Sequence, residues 1–301
     1  MIKAMLFGNN SIAVDSLEIL SESNVEICAV VPENIDNGTD GWQKSLKKAT
    51  NKYGYRILQA DKLTDKNFIQ SVEEINPDII FSVQCRRILK RELINIPKHG
   101  VINLHLSLLP KYRGCYPITW ALINGEKYSG ATLHYIDEGI DTGDIIAQKE
   151  FEISERDNGR IVFEKASSCG VELFKENIDK IIGLNNKRIK QDEKFALYYP
   201  FNSIDFKKNE IDWNTNFITL FNWIKAFIFE PFQYPFFLYK GKKIEILSVK
   251  SYNNLDFQKP GDIVKIDDCL TISAIGGNIV IDKIKYNNNE ISSTKLKDLF
   301  K

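Results

Sequence analysis

The sequence predicts an α/β chain: a mostly parallel sheet with helices on both faces over residues 1–200, then a small β-rich domain over 201–301. Three observations carry this. Apolar strand-like runs alternate with helix-like runs through the first two hundred residues, which is the pattern of βαβ units. After about Pro200 the pattern changes to short strands divided by Gly and Asn-Asn turns, the spacing of a small antiparallel barrel or sheet. A length of 301 residues also suits two domains. The expected fold is therefore Rossmann-like, with an OB-like C-terminal domain.

The elements follow in order. Residues 2–7 are a short apolar strand, and 11–20 have helical spacing. Residues 25–31 are rich in β-branched side chains and are closed by Pro32. Residues 33–41 are polar with two glycines, a loop. Residues 42–53 read as a helix and 55–58 as a short strand. Thr64 is positioned to cap a helix running to about Ile75, with Pro77 ending it. Residues 78–83 and 100–104 are further apolar strands. Past the boundary, 217–227 is a helix, and 236–239, 243–249, 262–266, 270–275 and 278–284 are strands.

Composition narrows the function. Charged residues make up 27% and hydrophobic ones 43%, which excludes a disordered chain, a collagen-like chain and a coiled coil. Forty Lys and Arg balance forty Asp and Glu, so the net charge is zero and a general nucleic-acid role is disfavoured. The five cysteines, at 28, 85, 115, 169 and 269, include no metal-ligand spacing; they fit a reducing compartment without disulfides or a zinc site. The apolar run at 4–7 is too short for a signal-peptide core, and no stretch approaches the ~18 apolar residues of a membrane span. A cytoplasmic protein, off the membrane and without a metal, is expected. Gly8 stands alone where a dinucleotide fingerprint would need three glycines, so nothing supports a nicotinamide or flavin.

In sheets of this kind the site lies beyond the carboxyl ends of the strands, here just after Phe7, Val31, Val83 and Leu104. The densest polar cluster sits there, in Val101-Ile102-Asn103-Leu104-His105-Leu106-Ser107-Leu108-Leu109-Pro110-Lys111-Tyr112-Arg113-Gly114. The period of two puts Asn103 and His105 on one face of their strand. An amide N–H can hold a developing oxyanion, and an imidazole exchanges protons near neutrality. A third group, usually a carboxylate, must orient the imidazole. On spacing alone, an Asn-x-His pair at a strand end is more often structural.

A second segment changes that balance: Gly130-Ala131-Thr132-Leu133-His134-Tyr135-Ile136-Asp137-Glu138-Gly139-Ile140-Asp141-Thr142-Gly143-Asp144-Ile145-Ile146, a strand, an acidic Gly-containing loop and another strand. Together the two segments resemble the folate-dependent formyltransferases, which move a formyl group from N10-formyltetrahydrofolate to an amine. The resemblance covers most of residues 1–200. The tail from Glu210-Ile211-Asp212-Trp213 onward is similar to the smaller C-terminal domain of the longer members.

The resemblance implies a catalytic trio of Asn103, His105 and Asp141. Asp144 is the competing carboxylate, with a solvent-facing strand start as its plainer reading. Asn103 would donate to the tetrahedral oxyanion, His105 would move the amine proton, and Asp141 would fix the imidazole and favour its charged form. By the same resemblance the folate co-substrate lies along Val83, Gln84, Cys85, Arg86, Ile88 and Leu89, with Asp137, Glu138, Gly139 and Ile140 opposite. Arg86 and Arg87 equally suit a solvated helix start, and Cys85 suits a small buried hydrophobe. Lys111, Tyr112 and Arg113 follow the catalytic strand and are candidates for contact with the acceptor's phosphates, although a turn facing solvent also fits them. Trp42 could border the acceptor site; packing is its plainer role, as it is for His134. The aromatic run 227–237 reads as domain-junction packing, with base stacking or a homodimer contact as alternatives.

Two acceptors suit a chain of this length in that family: the aminoacyl end of initiator tRNA, and the amino group of a nucleotide-linked sugar destined for a surface polysaccharide. A relative that keeps the fold without turnover is the non-enzymatic alternative, and the intact Asn103, His105 and Asp141 argue against it. Charge favours the sugar. Residues 201–301 hold fourteen basic and twelve acidic side chains, and the 33–41 loop carries Glu33, Asp36 and Asp40 with no basic residue.

Overall fold

The computed structural model describes residues 1–254, 258–291, 295 and 300. In chain order the first elements are β1 (Ile2–Gly8), α1 (Asn10–Glu22), β2 (Val25–Pro32), α2 (Leu46–Tyr53), α3 (Lys66–Ile75), β3 (Ile79–Val83), α4 (Arg91–Ile94) and β4 (Val101–His105). Then come β5 (Arg113–Gly114), α5 (Pro117–Ile123), β6 (Tyr128–Tyr135), β7 (Ile145–Glu152), α6 (Gly159–Ile182) and β8 (Tyr198–Tyr199). The remainder is α7 (Phe217–Phe227), β9 (Phe236–Tyr239), β10 (Lys242–Asn253), β11 (Ile263–Ile266), β12 (Leu270–Ala274), β13 (Gly277–Tyr286) and β14 (Asn289–Ile291).

The chain forms two compact units, one of residues 1–114, 130–151 and 165–199, the other of 115–129, 152–164 and 200–301. The first carries a six-stranded sheet in the order β2-β1-β3-β4-β6-β7. β2, β1, β3 and β4 are mutually parallel, and β6 runs antiparallel to β4. Both faces are covered, as a parallel sheet requires. Met5, Phe7 and Ile80 enter one face with Phe68 and Val72 of α3. Phe81, next along from Ile80, points to the other face and meets Phe174 of α6 edge-on at 5.2 Å. The register aligns the strand ends: Gly8 lies beside Val83, and Val83 beside Leu104. Gly8 cannot carry a side chain, because a Cβ would lie 2.7 Å from both the Val83 oxygen and the Ala13 methyl.

The second unit holds an antiparallel sheet in the order β11-β12-β13-β10-β9, with β14 paired to β13. Its core joins Ile244, Ile246, Ile279 and Ile281 to Leu220, Phe221 and Ile224 of α7. α5 belongs to this unit; it opens on Pro117, whose fixed φ suits a first helical turn, and the Trp120 indole donates to Ser203 Oγ at 3.1 Å. Part of the 227–237 run lies in the same interior: Phe227 stacks on Trp223 with ring centres 4.2 Å apart, and Phe237 meets Trp213 edge-on. No helix among the described residues is long and apolar enough to cross a membrane.

Local polar chemistry moves several element boundaries. The helix expected from Trp42 begins at Leu46, because Ser45 caps it by accepting from the Lys48 amide, and Asp36 and Asp40 accept from Lys47 and Ser45 amides just before it. Asp65, not Thr64, caps α3, accepting from the Asn67 and Phe68 amides. The expected strand at 55–58 is a single bridge between Val30 and Ile57. The long helix α6 has no counterpart in the sequence reading, and it supplies Phe174 to the sheet. Replacing that ring with Ala leaves a cavity, so Phe174→Ala should cost about 3–5 kcal/mol. Urea unfolding of the purified variant checks this; a midpoint equal to that of the parent protein would contradict the packing described.

Candidate active site

β4 ends the sheet's parallel part at His105, and its antiparallel neighbour β6 sets His134 directly across from Asn103. The chain between His105 and β5 is pinned. Ser107 Oγ donates to the Lys111 carbonyl, and the Leu109 amide donates to Thr132 Oγ1. Tyr112, at φ 62°, then turns its carbonyl towards the imidazole. His105 Nε2–H donates to that carbonyl at 2.8 Å. A carbonyl only accepts, so Nε2 keeps its proton and Nδ1 is the atom that exchanges one. His134 is arranged the other way round: its Nδ1–H donates to the Tyr135 carbonyl at 2.8 Å. Its Nε2 lies 3.0 Å from Asn103 Nδ2 and accepts from that amide when it carries no proton.

Asp141 lies where both exchanging nitrogens point. His105 Nδ1 is 3.7 Å from Oδ2, and His134 Nε2 is 3.5 Å from Oδ1. The Gly114 amide donates to Oδ2 at 2.8 Å. Asp141 itself sits at φ 54°, a left-handed backbone that few non-glycine residues adopt. Burial would raise its carboxyl pKa. The His105 charge, His134 and the Gly114 amide more than reverse that, holding the carboxyl well below the usual carboxylate range. The residue is thus an anion throughout the working pH range.

The structure brings Asn103, His105 and Asp141 together. Asp144 instead offers its backbone carbonyl to the Tyr135 amide. The residues assigned to folate occupy two loops of the first unit. Val83 ends β3, Gln84 turns at φ 56°, and Glu33 accepts from the Arg86 amide at 2.7 Å. Arg86 is exposed and so is Ile88, whereas Leu89 and Cys85 pack on the core under α3. Burial, with the Glu33 carboxylate nearby, pushes the Cys85 thiol up to about 12, so it is no nucleophile. In the facing loop Asp137 accepts from the Gly139 amide and the Thr142 hydroxyl, and Ile140 is exposed. Arg91, just beyond the first loop, lies 3.3 Å from Glu138 of the second.

The expected acceptor contacts divide. Lys111 is exposed and Trp42 is half-buried. Arg113 departs from the expectation: it is buried, with Nη1 and Nη2 donating to Glu193 at 2.9 and 2.7 Å. Tyr112 departs too, since its ring stacks on Tyr199 at 5.9 Å and its carbonyl, not its ring, serves the site. Sequence reasoning missed His134 as a partner of Asp141, which the pairing of its strand with the Asn103 strand could have disclosed. It also missed Gln191, whose amide donates to the Asp141 and Gly143 carbonyls, and for which distance along the chain leaves no local signal.

Residues 2–178 match the family model described as formyl transferase, and residues 203–297 match that of its C-terminal domain. The chain belongs to the formyl transferase family. The methionyl-tRNA formyltransferase of Thermodesulfovibrio yellowstonii is 35% identical over 97% of this chain and 93% of that protein. The Acetivibrio thermocellus enzyme of the same name is 32% identical over 96% and 93%. Among solved structures, the Helicobacter canadensis N-formyltransferase in complex with folinic acid and dTDP-3-aminofucose superposes with a TM-score of 0.75 at 31% identity, covering 93% of this chain and 99% of that one. The sugar 3N-formyltransferase WlaRD, determined with dTDP and 5-N-formyl-THF, gives 0.77 at 30%, covering 96% and 99%.

This formyltransferase should depend on the three clustered groups. Asn103→Ala and His105→Ala should each lower kcat by roughly 10²–10⁴ with the fold retained. Asp141→Asn should cost far more than Asp144→Asn. Steady-state kinetics with circular dichroism on each variant decides; near-normal turnover in His105→Ala, or the opposite order of the two aspartates, would overturn the assignment.

Proposed function

We propose that the chain transfers a formyl group from N10-formyltetrahydrofolate to the amino group of a nucleotide-linked amino sugar, a dTDP-linked 4,6-dideoxy sugar or a close relative, for a surface polysaccharide. Charge carries the choice of acceptor. Forty basic residues are balanced by forty acidic ones, and 201–301 is close to neutral. A tRNA needs a broad basic field, whereas a diphosphate needs only a few cations, and Lys111 and Arg86 are exposed to provide them. The sugar formyltransferases named above support the same reading across nearly the whole chain. Transfer is assigned to residues 1–200, with 201–301 as the smaller accompanying domain.

In this reading the folate lies between the 84–89 and 137–140 loops. Exposed Ile88 and Ile140 offer apolar surface to a ring, and the approach of Arg91 to Glu138 brings the two loops within reach of one ligand. The sugar amine attacks the formyl carbon as a neutral nucleophile. Asn103, steadied through one N–H by His134 Nε2, presents its second N–H to the tetrahedral oxygen. His105 Nδ1 receives the proton shed by the amine and passes it on towards N10 as that nitrogen leaves. Asp141 stays ionised and attracts the imidazolium while the proton is in transit.

Formylation of initiator methionyl-tRNA is the second reading, favoured by the 35% identity to the enzyme of that name. A competition at physiological salt between charged initiator tRNA and a panel of dTDP-, UDP- and GDP-linked amino sugars separates the two. The expected outcome is transfer to a sugar, at a rate that rises with pH until the amine is neutral. Formylation of the tRNA alone would overturn the sugar assignment.

A further inference from the structure

The side-chain amide of Gln191 is filled to capacity. Its Oε1 accepts from Arg113 Nε at 3.0 Å and from Nη2 at 2.8 Å. Its Nε2 donates to the Asp141 carbonyl at 2.8 Å and the Gly143 carbonyl at 2.7 Å. Arginine only donates and carbonyls only accept, so the amide has one possible orientation. Gln191 lies between the two segments matched by the family models, which end at 178 and begin at 203. Its segment is fixed: Ile189 exchanges backbone hydrogen bonds of 2.9 and 2.8 Å with Ile145 at the start of β7, and the Arg188 guanidinium lies 3.6 Å from the centre of the Tyr135 ring. The other end of the relay also reaches the site, because Gly114, next to Arg113, donates its amide to the Asp141 carboxylate.

We propose that Gln191, locked by Arg113, is a positioning residue for Asp141. It grips the two carbonyls that flank the turn, holds Asp141 in its left-handed backbone, and so sets the carboxylate between His105 and His134. Residues 113 and 191 thereby serve the reaction without touching the substrates. The proposal rests on the role given above to Asp141, an ionised carboxylate that attracts the His105 imidazolium.

Two measurements on Gln191→Met, which keeps the side-chain length and loses both donors and the acceptor, test it. The first needs no substrate: carboxyl NMR of the ligand-free protein, with the Asp141 resonance identified by its loss in Asp141→Asn. The charged and polar groups facing that carboxylate are His105 from β4, His134 from β6 and the Gly114 amide from β5. In the parent protein the resonance should stay in its ionised position down to about pH 4. In the variant the carboxylate drifts from the two imidazoles, burial is no longer opposed, and its titration should appear above about pH 4. The second is kinetic, using whichever acceptor the parent enzyme formylates: kcat should fall about 10–100-fold per folded enzyme, with KM for both substrates within about threefold. Should Gln191→Met not fold, Arg113→Lys, which keeps a cation but loses the fork on Oε1, is read the same way. An unmoved Asp141 titration overturns the proposal, whether or not kcat falls. Failure to formylate any sugar would overturn the acceptor assignment alone, since the carboxyl titration does not involve the acceptor.

Discussion

One carboxylate between two imidazoles organises the site. Asp141 is largely removed from water, which disfavours its charge, and three groups offset that cost: His105, His134 and the Gly114 amide. A hydrogen bond from an amide to a carboxylate contributes about 1.5–3 kcal/mol. A single protonated imidazole at 3.5–3.7 Å attracts by about 4 kcal/mol at an effective dielectric near 20. Where the imidazoles are protonated they therefore outweigh the amide in holding the charge on Asp141. Each ring has its other nitrogen tied to a backbone carbonyl, Tyr112 or Tyr135, so only the nitrogen facing Asp141 is available for exchange.

The fold delivers this arrangement through two features of the sheet. Parallel register brings the ends of β1, β3 and β4 side by side, so the loops after Val83 and His105 open at one edge. The antiparallel β6 then places His134 opposite Asn103, and the loop that follows it returns Asp141 to the same edge. The loop is too tight for ordinary residues at its close. A Cβ at Gly143 would overlap the Tyr135 carbonyl, so the turn that carries Asp141 needs glycine there. Gln191, far along the chain, donates to the Asp141 and Gly143 carbonyls of that turn.

Periodicity disclosed the sheet, the C-terminal strands and helix 217–227, because burial on one face or stripe leaves a repeat in the chain. It did not disclose where helices begin: side-chain caps decide that, through one hydrogen bond to Ser45 and two to Asp65. Two short segments and their family resemblance point to Asn103, His105 and Asp141, and the fold sets these side chains in one cluster with His134; their roles in transfer are proposed above. The roles of Tyr112 and Tyr135 were not legible in the sequence, because their contribution is a backbone carbonyl that any residue possesses. Arg113 illustrates a different limit. A cation beside a catalytic strand suggests a phosphate contact, yet Glu193 and Gln191, some eighty residues on, occupy its guanidinium.

The arrangement around Asp141 is tested most directly by the protonation pattern of the imidazoles. The chain has three histidines, so long-range ¹H–¹⁵N correlation spectra of the ligand-free protein can be assigned with His105→Ala and His134→Ala. In every state, charged or neutral, His105 should carry a proton on Nε2 and His134 a proton on Nδ1. A neutral His105 protonated only on Nδ1, or a neutral His134 protonated only on Nε2, would aim a lone pair at a carbonyl oxygen and contradict the site as described.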